Sequence, residues 1–271
     1  MTSPAPLVDI DRQGPVTRLI LNRPEKRNAL SRQLIAELTQ AVTAASQDPE
    51  LRVLVLTARG PVFCAGMDLA EMQERAARPE SRELWREDTE VYHRLLVLLL
   101  EVRVPVVAVL PGPALAGGLG VVLACDLVLA ADSAFFSLPE PKRGITAAIV
   151  SPLLAWRVGV SQSSWLLLSG HSIDSAEAHR HGLCHQVVSA DELAAAEESL
   201  VRSILSGSPA ALAVTKQQLQ ACSGAGLLEQ LESAREASAT ARETSEAREG
   251  LAAFLEKRPP AWQPRTDSSA E

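Results

Sequence analysis

The stretch GPALAGGLGVVLACD, Gly112 to Asp126, decides how this chain is read. It holds four glycines, and three of them, Gly117, Gly118 and Gly120, stand where an apolar helical run is about to begin. Glycine inside a helix costs about 1 kcal/mol relative to alanine, so something other than helix stability asks for them. VPVVAVL (104–110) precedes the turn, DLVLAA (126–131) follows it, and LRVLVLTA (51–58) has the same character. Continuous β-branched and leucine runs of this length are the signature of strands buried on both faces. With helical stretches between them they imply right-handed crossovers and a mostly parallel sheet. A glycine-rich turn from such a strand into a helix leaves backbone N–H groups free, where an anion can be held. No Gly-Lys-Ser/Thr follows and the spacing is not GxGxxG, so the turn is neither a P-loop nor a dinucleotide site.

A second loop has the same grammar. LRVLVLTARGPVFCAGMDLAEM (51–72) is a buried strand, a Gly-Pro break and then FCAGMDL, with Asp68 placed to cap the next helix. Two such units can present two backbone N–H donors to one point, which is how an oxyanion hole for a carbonyl is built.

Outward from these loops, LVDIDRQGPVTRLILN (7–22) reads as a hairpin turning at Gly14-Pro15, and Ser31 to Ser46 has helical spacing. After about residue 145 strand signals nearly vanish, apart from CHQVVS (184–189). Asp174 is placed to cap a helix stopped by Gly182, and 191–206, 209–221 and 226–255 read as helices. The last of these has a thin apolar stripe and asks for a partner; its Glu/Arg-rich part, 229–249, reads as a mostly solvated face. The polar stretch ERAARPESRELWREDTE (74–90) reads as a flap over a ligand.

The chain has 271 residues, 46% of them apolar and 22% charged, with a net charge of −7. This is a globular composition with ample length for a core, and its acidity argues against nucleic acid as a partner. The four cysteines, Cys64, Cys125, Cys184 and Cys222, form no CxxC pair. With no export signal in MTSPAPLVDI, reduced thiols and a cytoplasmic location are expected. LLVLLLEVRVPVVAVLP (95–111) is interrupted by Glu101, Arg103 and Pro105, too soon to span a bilayer. Cys64 reads as a buried small residue rather than a nucleophile, and Asp126 as a cap or turn residue. His179, His181, Cys184 and His185 point apart across a helix end and a strand, so no metal is expected.

In that order and spacing, FCAGMDL, GPALAGGLGVVLACDLVLAA and FFSLPEPKRGI (135–145) resemble the crotonase, or enoyl-CoA hydratase/isomerase, superfamily. NRPEKRNAL (22–30) and LLLSGHSIDSAEAHRHGLCHQVV (166–188) extend the resemblance to roughly residues 8–258. It implies an α/β fold, a crotonase-like spiral of ββα units with a C-terminal helical trimerisation region. Residues 1–195 would be the acyl-CoA-binding core, 196–257 the helical region and 258–271 a flexible tail. The substrate would be an acyl-CoA thioester, with no cofactor beyond the coenzyme A it carries, and the assembly a homotrimer or a dimer of trimers. By resemblance the N–H groups of Ala65 and Gly117 form the oxyanion hole. The backbone of Ala65, Gly66, Met67, Asp68 and Leu69 lines the adenine pocket, Gly118 lies on the coenzyme A side, and Lys26 and Arg27 lie near the phosphates. Phe254 and Lys257 would reach a neighbouring subunit's ligand.

Family hydratases use two glutamates. The second matches Glu140, in Pro139-Glu140. The first falls at position 120, where this chain has Gly120. One carboxylate can serve as both base and acid in adding water to a 2-enoyl thioester, or can move a proton between C2 and C4 of a 3-enoyl thioester. Family isomerases resemble this chain in keeping only the second glutamate. ITAAIVSPLLAWRVG (145–159), which lacks the usual P..GG turn, resembles instead the branch containing methylglutaconyl-CoA hydratases, and with Gly120 it favours a hydratase, with a branched substrate as one option. An acyl-CoA binder with little chemistry is the third reading. The acyl pocket is expected from residues 72–100 and 145–156, and Arg143 faces either a substrate carboxylate or a subunit neighbour.

Overall fold

The computed structural model describes residues 5–222 and 226–263. The chain runs through β1 (Val8–Gln13), β2 (Val16–Leu21), α1 (Arg32–Ser46), β3 (Val53–Ala58), α2 (Leu69–Ala76), α3 (Ser81–Glu101), β4 (Val106–Leu110), β5 (Ala114–Leu115) and α4 (Gly117–Leu123). It continues through β6 (Leu127–Ala131), β7 (Phe135–Ser137), α5 (Val150–Ser169), β8 (Ser172–Asp174), α6 (Ser175–Arg180) and β9 (Gln186–Val188), and ends in α7 (Leu193–Leu205), α8 (Pro209–Cys222), α9 (Leu227–Ala241) and α10 (Ser245–Leu255).

The main sheet has the order β1-β2-β3-β4-β6-β9, parallel throughout except for the β1–β2 hairpin. Leu54, Leu56, Val106 and Ala108 face one way, into the large core shared with α1, α3 and α4. Val53, Val55, Val107, Val109 and Leu129 face the other way, against Val201 and its neighbours on α7. Both faces are dry, which is why these strands read as unbroken apolar runs. A second sheet has the order β5-β7-β8. Its three strands are only two or three residues long. The mixed sheets, crossovers and covering helices fit the expected crotonase-like α/β fold.

Three expectations change. The single helix over 226–255 is two helices: it breaks after Ala241, and Thr244 caps α10 by accepting the Ala247 N–H at 3.0 Å. The partner that α9 needs lies within its own chain. Leu227 and Leu231 are buried, and Arg86–Glu236 (3.1 Å), Arg82–Glu243 (2.8 Å) and Arg235–Glu90 (3.3 Å) tie α9 and the turn after it to α3. The stretch 74–90 is the end of α2 and the start of α3 rather than a loop, with Trp85 buried.

Residue 195 lies inside α7, which packs on the sheet, so the helical part begins as a layer of the core. Of the tail, Arg258 pairs with Glu249 at 2.6 Å; residues 264–271 lie outside the described residues. Asp126 is structural: its carboxylate accepts the Val106 N–H and the buried Lys216 ammonium, each at 2.7 Å.

Candidate active site

The two glycine-bearing loops meet. Gly66 has φ +90°, and a Cβ there would lie 2.7 Å from Ala116 Cβ, 3.0 Å from Leu115 O and 3.3 Å from the Gly117 nitrogen. Only a residue without a side chain lets the loops approach this closely. Ala116, with φ +50° and ψ −128°, is a non-glycine residue in a strained conformation immediately before Gly117. It turns the chain from β5 into α4 and opens the Gly117 N–H to a cleft lined by Met67, Tyr92, Gly117, Glu140, Arg143 and Arg242.

One expected donor is displaced. The Ala65 N–H is taken by the Arg27 carbonyl at 3.0 Å, and Ala65 does not line the cleft. Leu30 N donates to Gly66 O at 2.8 Å and Asp68 N donates to Leu30 O at 3.1 Å. Between them, Met67 N–H has no partner among the described residues. Met67 and Gly117 therefore each bring an N–H group to the cleft, Met67 lying two residues on from the motif-based choice of Ala65.

The glycines of α4 have separate reasons. A Cβ on Gly118 would strike Cys64 at 2.6 to 2.8 Å, so Gly118 serves packing. A Cβ on Gly120 would lie 2.1 Å from the Tyr92 hydroxyl, whereas one on Gly117 meets nothing closer than 3.4 Å. Tyr92 donates to the Gly117 carbonyl at 2.6 Å and is buried. Its hydroxyl stands where a side chain at position 120 would begin, leaving no room for a second glutamate. Tyr92 was missed by motif reading. Its signals were its place on the apolar stripe of α3 with Trp85 and Leu96 and its being the chain's single tyrosine.

A double-mutant cycle tests this packing. Gly120→Ala is expected to cost about 1–3 kcal/mol by overpacking, and most of that cost disappears in a Tyr92→Phe background. Urea unfolding of the four proteins measures it. Additive effects would show that the hydroxyl does not hold position 120 empty.

Glu140 opens a short 3-10 turn, Glu140–Arg143, that follows β7 of the second sheet. It is 6% exposed, and its Oε2 has no partner among the described residues. Burial pushes its pKa up to about 7, against the opposing pull of its own N–H, Arg143 and Arg242. A carboxyl poised there can both take and give a proton near neutral pH. Cys64 is the opposite case: burial raises its thiol to about 12, so it is no nucleophile.

The expected coenzyme A segment packs directly behind the loop at residues 59–68. Lys26 ends a 3-10 turn, and Arg27 and Asn28 are both left-handed, with φ +53° and +52°. The buried Asn28 side chain holds this shape, accepting from Arg23 N (2.8 Å) and donating to Arg59 O (3.0 Å) and Val62 O (2.8 Å). Arg23 pairs with Asp68 at 2.7 Å, and Asp68 caps α2. Burial works against the charge on Asp68, but the Arg23 bond and the Ala70 and Glu71 N–H groups outweigh it, and its pKa is lowered. Asn28→Ala is expected to destabilise by about 1–3 kcal/mol, because it leaves a part-buried N–H and two part-buried carbonyls without their partner. Urea unfolding measures that loss, and a change under about 0.5 kcal/mol would contradict the anchoring role.

Phe254 lies against Arg143 of its own chain, with the guanidinium 4.4 Å from the ring centroid, and Lys257 is exposed. His179 and His185 are bonded to backbone, and no metal-binding cluster is found among the described residues. No helix among them is long and apolar enough to cross a membrane.

A fold of this kind, with two loop N–H groups and a raised carboxyl at one cleft, is fitted to act on a carbonyl. The family model described as enoyl-CoA hydratase/isomerase matches residues 11–265, and the chain belongs to that family, within the crotonase superfamily, as an enzyme. A Thermus thermophilus protein provisionally named an enoyl-CoA hydratase is 38% identical over 259 residues, spanning 94% of this chain and 99% of its own. The 2,3-dehydroadipyl-CoA hydratase of Escherichia coli is 34% identical over 257 residues, spanning 94% and 98%. The crystal structure of an enoyl-CoA hydratase from Mycobacterium avium has a TM-score of 0.82 at 36% identity, covering 96% of this chain and 100% of that one.

Proposed function

We propose that the protein adds water across the double bond of a 2-enoyl-CoA thioester using one carboxylate. The observation that carries this reading is Glu140, whose unpartnered Oε2 shares a cleft with the Met67 and Gly117 N–H groups. Those N–H groups hold the thioester oxygen as charge builds on it in the enolate. Glu140 takes a proton from the water attacking C3 and returns one to C2, so a single group ends the cycle as it began. Coenzyme A lies along the 22–30 and 65–69 segments, with Lys26 and Arg27 near its phosphates and Gly118 behind the loop. No cofactor or metal is needed for these steps.

Isomerisation of a 3-enoyl-CoA is the second reading, favoured by Tyr92 filling the space at Gly120. The hydratase names of the relatives weigh toward water addition. A branched acyl group is the finer reading of residues 145–159, whose Ile145 to Val150 line the cleft. Exposed Val160, Trp165 and Leu168 on α5 support burial against other copies, as a trimer or a dimer of trimers in the cytoplasm.

Product analysis tests the reading. Straight and branched 2-enoyl-CoA and a 3-enoyl-CoA are each incubated with the enzyme. A 3-hydroxyacyl product from a 2-enoyl substrate is expected. A 2-enoyl product from the 3-enoyl substrate alone would make it an isomerase, and binding without turnover a binder.

A further inference from the structure

We propose that the acyl pocket recognises a second carboxylate, at the far end of a short acyl chain, through Arg242. This rests on the acyl-CoA reading above, but not on which reaction follows. The cleft at Glu140 continues into an adjoining pocket that shares Leu69, Met72, Arg143, Ile145 and Arg242 with it. Its walls are apolar, with Trp85 among them, yet Arg143, Arg242 and Arg248 all line it, and no Asp or Glu does among the described residues.

Arg242 is the unusual member. It is 9% exposed, and its Nη1 has no hydrogen-bond partner among the described residues. The half-buried guanidinium groups of Arg23 and Arg157 have structural work. Arg23 pairs with Asp68, and Arg157 binds the carbonyls of Leu123, Cys125 and Asp126. Asp88, whose charge Arg242 feels, is already paired with Arg32 at 2.7 Å and Arg75 at 3.1 Å. A buried cation left unpaired is costly, and the group that best satisfies a guanidinium fork is a carboxylate. Arg143 is held face-on by Phe254 at 4.4 Å, and the exposed Arg248 completes a cationic end to an otherwise apolar pocket. A methyl-ended chain would bury Arg242 further without pairing it. The mono-CoA thioester of a short dicarboxylic acid fills the apolar walls and ends on the charge.

The test is binding, read by calorimetry, of saturated thioesters that cannot turn over. Glutaryl-CoA and adipyl-CoA are compared with pentanoyl-CoA, hexanoyl-CoA and coenzyme A itself. The wild-type protein is expected to bind the carboxylate-ended members at least about 10-fold more tightly than the methyl-ended ones of equal length. Arg242→Met brings the two classes to within about 3-fold, Arg242→Lys keeps part of the gap, and coenzyme A binds both variants as it binds the parent. Equal or tighter binding of methyl-ended thioesters by the wild-type protein overturns the proposal without any variant. So does an equal loss for coenzyme A in Arg242→Met, which would assign the guanidinium to the phosphates or to folding. Turnover of 2-enoyl substrates without a carboxylate preference sinks this proposal alone. A carboxylate preference without turnover sinks the hydration reading alone.

Discussion

Replacing Glu140 with glutamine stops turnover and, above neutrality, makes the protein more stable. The loss of kcat is expected to be about 10²–10⁴-fold, because the one carboxyl that lines the cleft among the described residues is gone. The stability gain follows from burial, which raises the carboxyl from 4.5 to about 7 in the folded chain. Between those values the folded state binds more protons than the unfolded state, so stability falls as pH rises and levels off above about 7. A shift of that size is on the order of 3 kcal/mol. Glutamine carries no such burden. Parent and variant therefore unfold alike in urea at about pH 4 and differ by on the order of 3 kcal/mol at about pH 8. A carboxylate kept for structure would give the reverse: a variant less stable at high pH.

The second large effect is expected at Gly66, a residue with no side chain and no proton to give. Gly66→Ala puts a methyl group 2.7 Å from Ala116 Cβ and 3.3 Å from the Gly117 nitrogen, at φ +90°. The two donor loops must move apart, and displacing oxyanion donors costs about 10²–10³-fold in kcat. Overpacking is expected to cost only about 1–3 kcal/mol of stability, so the protein remains folded while activity collapses. Gly117→Ala is the contrast. Its methyl group meets Tyr92 and Leu30 at ordinary distances of 3.4 to 3.5 Å, and kcat stays within about 10-fold of the parent. Steady-state kinetics of the pair decides whether the meeting of the loops, rather than glycine as such, makes the site. Equal losses would contradict it.

What could be read from the chain divides along physical lines. β3, β4 and β6 announced themselves because both faces are buried and every position but Thr57 is apolar. β5, β7 and β8 did not, since strands of two or three residues carry no period. The break before α10 lay in a run rich in Glu, Ala and Arg, where Thr244 is one of several Ser and Thr residues and so gave a weak capping signal. The two loops and Glu140 were legible as motifs. Which N–H faces the cleft was not, because the left-handed Gly66 breaks the alternation of the extended chain and moves the donor from Ala65 to Met67. Tyr92 and Arg242 enter the site from α3 and the end of α9, far away in sequence, and only the packing of those helices brings them together.

The central claim is that one carboxyl, held near neutrality by burial, moves both protons of hydration. The most direct test is the pH dependence of kcat/KM for hydration of a 2-enoyl-CoA between about pH 5 and pH 9. A single rising limb with its midpoint at about 7, then a plateau, is the predicted result. A rate independent of pH across that range, or a midpoint at an ordinary carboxylate value, would contradict it.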